Sequence, residues 1–182
     1  MGFFRKYFDL IGRGIESVED SLFDDAAERI KEVSSSGKKI IIAGNGGSAA
    51  IASHIAVDFT KTAGIRAINF NEADLLTCLA NDFGYERVFE KAIEFYGDEG
   101  DLLIVISSSG QSKNMLNAAK KAKEMGNGVI TFSGFSGDNP LKQLGDLNFW
   151  VDSKGYNIIE MTHYIWLVAI IDHIVGNVQY QG

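Results

Sequence analysis

Two hydrophobic periodicities alternate along this chain and predict its elements. Near the N-terminus, apolar residues such as Phe4, Phe8, Ile11 and Ile15 recur at the spacing of an amphipathic helix. Further on, short β-branched runs predict buried strands. The pattern predicts two N-terminal helices, then strands near 38–43, 66–70, 101–106, 128–132 and 147–151 and helices near 48–60, 72–80, 85–96, 112–124 and 158–175.

This alternation of strand and helix predicts an α/β fold, a five-stranded parallel sheet covered on both faces in a three-layer αβα arrangement. Right-handed crossovers place the loops that follow the strands at one edge of the sheet. Ligands of such sheets bind at this edge, at the switch point where the strand order reverses. The strands ending at Ala43 and Ile106 are expected to be neighbours there. Residues 1–182 are predicted to form one domain, with N-terminal helices over 1–36 and the αβα core over 37–182.

Two loops at that edge carry the candidate chemistry. Gly44–Ser48 and Ser107–Ser112 each follow an apolar strand and lead into a helix. Glycine permits tight turns and close approach to a ligand, and serine hydroxyls with free helix N–H groups suit phosphate oxygens. Simple helix capping by serine is the alternative, but three consecutive serines exceed what one cap requires. The pair of loops therefore predicts a site for a phosphorylated small molecule.

Charge and composition narrow the class of protein. A formal net charge of −7 argues against a nucleic-acid surface, which needs a basic patch. The most hydrophobic window, Tyr164–Ile171, is too short to span a bilayer, so we expect a cytoplasmic protein without a membrane partner. The single cysteine, Cys78, excludes an internal disulfide, fits a reducing compartment, and is expected to be a small buried apolar residue.

With these loops placed, the chain resembles the sugar isomerase (SIS) domain family. The resemblance is to the branch that contains phosphoheptose isomerase (sedoheptulose 7-phosphate isomerase) and the DnaA initiator-associating protein, and it covers nearly the whole chain. The residues that carry it are Gly44–Ser48 with His54, Ala80–Gly84, Ile106–Ser112 and, more loosely, Ile159–His163. It implies a flavodoxin-like fold and a homotetramer whose active sites are shared between subunits.

The family implies an enzyme that interconverts an aldose phosphate and a ketose phosphate, here for heptose in surface polysaccharide, without an organic cofactor. The serine loop would hold the phosphate, and the glycine loop would line the sugar. The substrate-binding residues implied in this chain are Asn45, Gly46, Gly47, Ser48, Asn81, Asp82, Ser107, Ser108, Ser109 and Ser112.

The catalytic pattern departs from the family, which has His-x-x-x-Glu after the glycine loop and, on the last helix, a glutamine followed eight residues later by a histidine. The first pair reads His54 and Asp58 here, on one helix face. With Glu160 at the glutamine position, the second histidine falls on Val168. His163 stands about 60° round the helix from Glu160 and is either a shifted catalytic histidine or an interface residue.

These substitutions lead to two expectations. Asp58 or Glu160 would be the catalytic base and His163 the acid, because isomerisation through an enediol needs both. In some family members the same positions hold zinc, so His54, Asp58 and Glu160 are the tentative ligands for zinc or another divalent metal. The alternative is that Glu160 pairs with a nearby donor and Asp58 is simply the base.

Other functions remain open at this stage. An interaction protein like the DnaA initiator-associating protein would keep the loops and lose catalytic residues, as Val168 suggests. A sugar-phosphate-sensing regulator would carry a DNA-binding segment, which this sequence does not show. The aromatic residues Phe3, Phe4, Tyr7 and Phe8 on the first helix are either core packing or contacts between subunits.

Overall fold

The computed structural model describes residues 1–178 of the chain. The helices and strands given above are all present there, with ends that differ by a few residues, whereas a short helix that the sequence also predicts after Pro140 is instead a series of turns over 140–144. The elements are α1 (Phe3–Ile15), α2 (Asp20–Ser35), β1 (Ile40–Gly44), α3 (Gly47–Lys61), β2 (Ala67–Asn69), α4 (Ala73–Phe83), a 3₁₀ turn (Tyr85–Arg87), α5 (Val88–Tyr96), β3 (Leu102–Ser107), α6 (Lys113–Glu124), β4 (Gly128–Ser133), β5 (Leu147–Trp150) and α7 (Tyr156–Val175).

The sheet is parallel throughout and has the strand order β2-β1-β3-β4-β5. This is the flavodoxin-like order, whose switch point lies between β1 and β3. Gly44 at the end of β1 pairs with Ile106 near the end of β3. The loops that follow these two strands are therefore neighbours, as the sequence predicted.

Alternating strand residues build one core on each face of the sheet. Ile40 and Ile42 of β1 pack with α2, α3 and α7, whereas Ile41 and Ala43 pack with α4, α5 and α6. The period of two residues along each strand sends successive side chains to opposite faces. Because both faces are covered, the two central strands β1 and β3 are apolar almost along their whole length.

The two N-terminal helices have different roles in the fold. Four residues of α2 are buried in the same core as α3 and α7: Ala26, Ala27, Ile30 and Val33. In contrast, α1 lies over α7, where Trp166 Nε1 donates a 2.9 Å hydrogen bond to the carbonyl of Ile15. The αβα core therefore includes α2, and α1 alone lies outside it, which differs from the predicted boundary near residue 36.

Among residues 1–178, α7 is the one helix long and apolar enough to cross a membrane, judged by length and composition alone. In this fold α7 is one of the helices that cover the sheet, because Ile159, Leu167 and Ile170 pack into the core against it.

Candidate active site

The glycine loop makes a very short connection between β1 and α3. Gly46 has φ 55° and ψ −120°, which favours glycine strongly because other residues rarely adopt positive φ. Gly44 lies so close to the start of α3 that an added Cβ would be 2.7 Å from the backbone of Ser48. The glycines therefore fold the chain tightly enough to present the first N–H groups of α3 at the sheet edge.

The serine loop between β3 and α6 is held from the neighbouring strand. The N–H of Gly134 donates to the carbonyl of Ser108 at 2.9 Å, and the N–H of Leu141 donates to the carbonyl of Gly110 at 3.1 Å. Gly110 has a φ of 64°, and the buried side chain of Asn139 fills the space where its Cβ would lie. The serine loop is thus held in place by the segment that follows β4.

A cavity of about 120 Å³ opens between the two loops. Seven of the predicted site residues meet there, together with Ile106 and Tyr156: Asn45, Ser48, Ser107, Ser108, Ser109, Ser112 and Glu160. Ser112 is the N-cap residue of α6, yet its hydroxyl makes no capping hydrogen bond. Of the nine lining residues, Glu160 carries the one charge, so an anion held here would be bound by hydroxyls and backbone N–H groups.

Glu160 reaches the cavity because the start of α3 leaves room for it. A Cβ built on Gly47 would lie 2.3 Å from Oε2 of Glu160. The carboxylate therefore lies directly against the N-terminus of α3, where the helix dipole and unpaired N–H groups favour negative charge.

Asn45 is oriented by two residues that the sequence analysis missed. Asn45 and Asn114 exchange amide hydrogen bonds of 3.0 and 2.9 Å, and the hydroxyl of Tyr85 donates to Oδ1 of Asn45 at 2.9 Å. Asn114 is buried in the first turn of α6. The position of Tyr85 directly after Ala80–Gly84 was the available signal, because that segment already carried the family resemblance.

The structure does not bring Asn81 and Asp82 into this cavity. Both side chains are exposed on α4, where Nδ2 of Asn81 donates to Oδ1 of Asp82 at 2.9 Å. A second cavity of about 570 Å³ shares Asn45 and Ser112 with the first and is bounded by Gly84.

The expectation that Cys78 is buried is wrong. Cys78 is exposed one turn before Asp82, because that face of α4 points away from the sheet.

His54 and Asp58 form a pair that is extended by a tyrosine. Nε2 of His54 lies 3.2 Å from Oδ2 of Asp58, and the hydroxyl of Tyr164 on α7 is hydrogen-bonded to Nδ1 of His54. Partial burial raises the pKa of the Tyr164 phenol, and the nearby Asp58 carboxylate raises it further. The sequence analysis did not find Tyr164, although it stands four residues after Glu160, on the same helix face.

The predicted metal ligands do not fit a metal as the structure arranges them. Both ring nitrogens of His54 are already engaged, by Tyr164 and by Asp58. The carboxylate of Glu160 lies against Gly47, and Val168 offers no donor at the fourth family position. Within residues 1–178 no three His, Cys, Asp or Glu side chains are grouped as a metal site. The metal therefore stays a prediction that these contacts do not support.

His163 lies in the core and not in the cavity. Its side chain is fully buried beside Phe132 and Trp166, and Nε2 donates a 3.0 Å hydrogen bond to the carbonyl of Ser133. Burial lowers the pKa of His163 to about 4, and the bond to the Ser133 carbonyl offsets this only in part. A buried imidazole that is neutral near pH 7 is poorly placed to protonate a sugar, so the geometry speaks against the predicted acid role.

Comparisons with known proteins agree with this fold. The model of the SIS domain family matches residues 3–134. A phosphoheptose isomerase of Fusobacterium nucleatum is 33% identical over 177 residues, covering 94% of this chain and 91% of that protein. The solved phosphoheptose isomerase of Neisseria gonorrhoeae matches at 30% identity over 94% of both chains, with a TM-score of 0.87.

A phosphoheptose isomerase structure from Francisella tularensis also has a TM-score of 0.87, at 25% identity over 96% of this chain and 97% of that one. The chain therefore belongs to the SIS domain family, in its phosphoheptose isomerase branch. This confirms the resemblance on which the sequence analysis relied.

Proposed function

We propose that this chain is a phosphosugar isomerase that interconverts sedoheptulose 7-phosphate and the corresponding aldose phosphate. The observation that carries the proposal is the cavity between the two loops, where five serines, Asn45 and Glu160 converge at the switch point of the sheet. The relatives named phosphoheptose isomerase support it. The reaction would take place in the cytoplasm. Its product would supply heptose for surface polysaccharide.

The phosphate is assigned to the serine loop. Its hydroxyls and the N–H groups at the start of α6 offer donors to phosphate oxygens, and no lysine or arginine is among the residues that line the cavity. In a heptulose 7-phosphate the reacting carbons, C1 and C2, lie at the end of the molecule farthest from the phosphate. The base should therefore lie some distance from the serine loop.

Asp58 suits the base better than Glu160 does. Glu160 of α7 lines the phosphate cavity itself, against Gly47 at the start of α3. Asp58 lies about three turns beyond Gly47 along α3, paired with His54. In the ketose-to-aldose direction the base removes a proton from C1 while the C2 carbonyl oxygen is protonated, which gives the enediol. Return of the carbon proton to C2 and loss of the O1 proton then give the aldose. The proton for the C2 oxygen is assigned neither to His163, which is buried, nor to His54, whose two ring nitrogens face Tyr164 and Asp58.

We also propose that the protein is a homotetramer with shared active sites. Phe3, Phe4 and Phe8 are 73%, 71% and 65% exposed on α1, which is far more than core packing would leave. Such an apolar face indicates an interface. Light scattering tests the assembly, and a monomer of 19.9 kDa at micromolar concentration would contradict it.

The activity is tested by incubating the protein with ketose phosphates of seven, six and five carbons, with and without added divalent metal. Turnover is expected on the seven-carbon substrate. No turnover on any substrate would rule out the proposed activity. A pull-down with the replication initiator would then test the alternative of a non-catalytic interaction protein, to which the valine at position 168 points.

A further inference from the structure

Tyr164 is an unassigned residue that contacts the His54–Asp58 pair directly. Its hydroxyl meets Nδ1 of His54, and the two rings lie 5.3 Å apart between centroids. Glu160 lies four residues earlier on α7 and lines the phosphate cavity, so Tyr164 stands one turn from that cavity on the same helix face. A hydrogen bond between α3 and α7 is thus made beside the site.

The two neighbours of His54 favour one arrangement of its hydrogen atoms. Nε2 lies 3.2 Å from Oδ2 of Asp58, and a carboxylate accepts hydrogen bonds and does not donate them, so a hydrogen on Nε2 is favoured. In that neutral form Nδ1 is an acceptor, and the Tyr164 hydroxyl is its donor. Because a phenol can also accept, this contact would persist when the imidazole takes up a proton.

We propose that Tyr164 is a positioning residue for the isomerisation: its hydroxyl holds His54 in the Nε2–H tautomer, and His54 in turn orients the carboxylate of Asp58. The contact with His54 uses Oδ2, so Oδ1 of Asp58 stays available to the substrate. This inference rests on the proposed function for its effect on catalysis. The tautomer of His54 does not depend on that function.

The tautomer can be measured in the intact protein by nitrogen NMR. The chain contains three histidines, His54, His163 and His173, so single His→Gln variants assign the ring signals. At neutral pH, His54 is expected to show the Nε2–H form. Tyr164→Phe removes the hydroxyl and keeps the ring, and it should give a mixture of tautomers. Tyr96→Phe, on α5, is the matched control and should leave the spectrum unchanged.

Kinetics separate positioning from a merely structural contact. In Tyr164→Phe, kcat should fall on the order of 10²-fold with KM nearly unchanged, the cost of misplacing a reacting group by about an ångström. In a His54→Ala background the same change should have no further effect, because its partner is gone.

Three results would overturn the inference. They are an Nδ1–H tautomer in the wild-type protein, an unchanged His54 spectrum in Tyr164→Phe, and an altered spectrum with normal kcat. If the wild-type protein turned over no sugar phosphate, the proposed function would fail, whereas the NMR measurement would still decide whether Tyr164 sets the tautomer.

Discussion

Gly47 and Glu160 are in direct contact, and a Cβ on Gly47 would overlap the Glu160 carboxylate at 2.3 Å. The overlapping atoms are the far end of a flexible side chain, so Gly47→Ala should displace Glu160 from the cavity without unfolding the protein. We expect little change in melting temperature and a loss of at least tenfold in kcat/KM, about 1.4 kcal/mol. A double-mutant cycle with Glu160→Ala checks this, because neighbours in contact give non-additive effects. Additive losses would mean that Gly47 does not act through Glu160.

Asp58→Asn and Glu160→Gln should show which of the two carboxylates is the catalytic base. If Asp58 is the base, Asp58→Asn should lower kcat by roughly 10²–10⁴-fold, the range for a general acid–base group. Glu160→Gln introduces the residue that the family carries at this position, and most activity should survive. Steady-state kinetics on the seven-carbon substrate decide between them. The opposite pattern would move the base to Glu160.

The sequence predicts the loops at the sheet edge better than it predicts the positions of the catalytic side chains. Strands β1 and β3 and the loops after them follow from continuous apolar runs that end in glycine or serine, so Asn45 and Ser107 could be placed near one another. These are local signals, and the parallel topology brings them together.

Contacts on α7 could not be predicted in the same way. The helix is apolar almost all round between Tyr164 and Ile171, so periodicity does not say which face carries His163 or Tyr164. Its rotation is set by packing on α1, α2 and α3, which places His163 against Phe132 and Tyr164 against His54. The two residues in the latter contact are 110 positions apart in sequence.

Phosphate affinity should depend on the serine loop. Ser109→Ala removes one candidate donor and should weaken substrate binding, because a hydrogen bond to a charged group contributes about 1.5–3 kcal/mol. Ser107 is nearly buried at the cavity wall, so Ser107→Leu should abolish binding by filling it. Calorimetric titration with the seven-carbon ketose phosphate measures both, with circular dichroism to confirm folding. Unchanged affinity in both variants would place the phosphate elsewhere.

Asn114 should matter for binding although it does not line the cavity between the two loops. Asn114→Ala removes both amide bonds to Asn45, leaving Tyr85 to orient it alone. Loss of the paired amides should cost about 1–3 kcal/mol of unfolding free energy and should also weaken substrate binding. Asn117→Ala, one turn later on α6, is the matched control, since its side chain bonds the carbonyl of Glu86 and not Asn45. Equal effects of the two substitutions on affinity would contradict the role of Asn114.

The stability of the protein should fall in mild acid because of His163. Its pKa is about 4 in the folded state and near 6.5 when unfolded, so the unfolded chain binds an extra proton between these values. Its contribution to stability is therefore complete above pH 6.5 and is lost as the pH falls towards 4. Between pH 7 and pH 5 the expected loss is about 2 kcal/mol.

Denaturant unfolding at several pH values measures this dependence. His163→Gln removes the titrating group, so the variant, although less stable, should lose less of its stability between pH 7 and pH 5. His173→Gln is the control, because His173 is more than half exposed beside Asp24 and lies outside the core. If His163→Gln kept the wild-type pH dependence and instead abolished turnover at full stability, His163 would have to be returned to the active site.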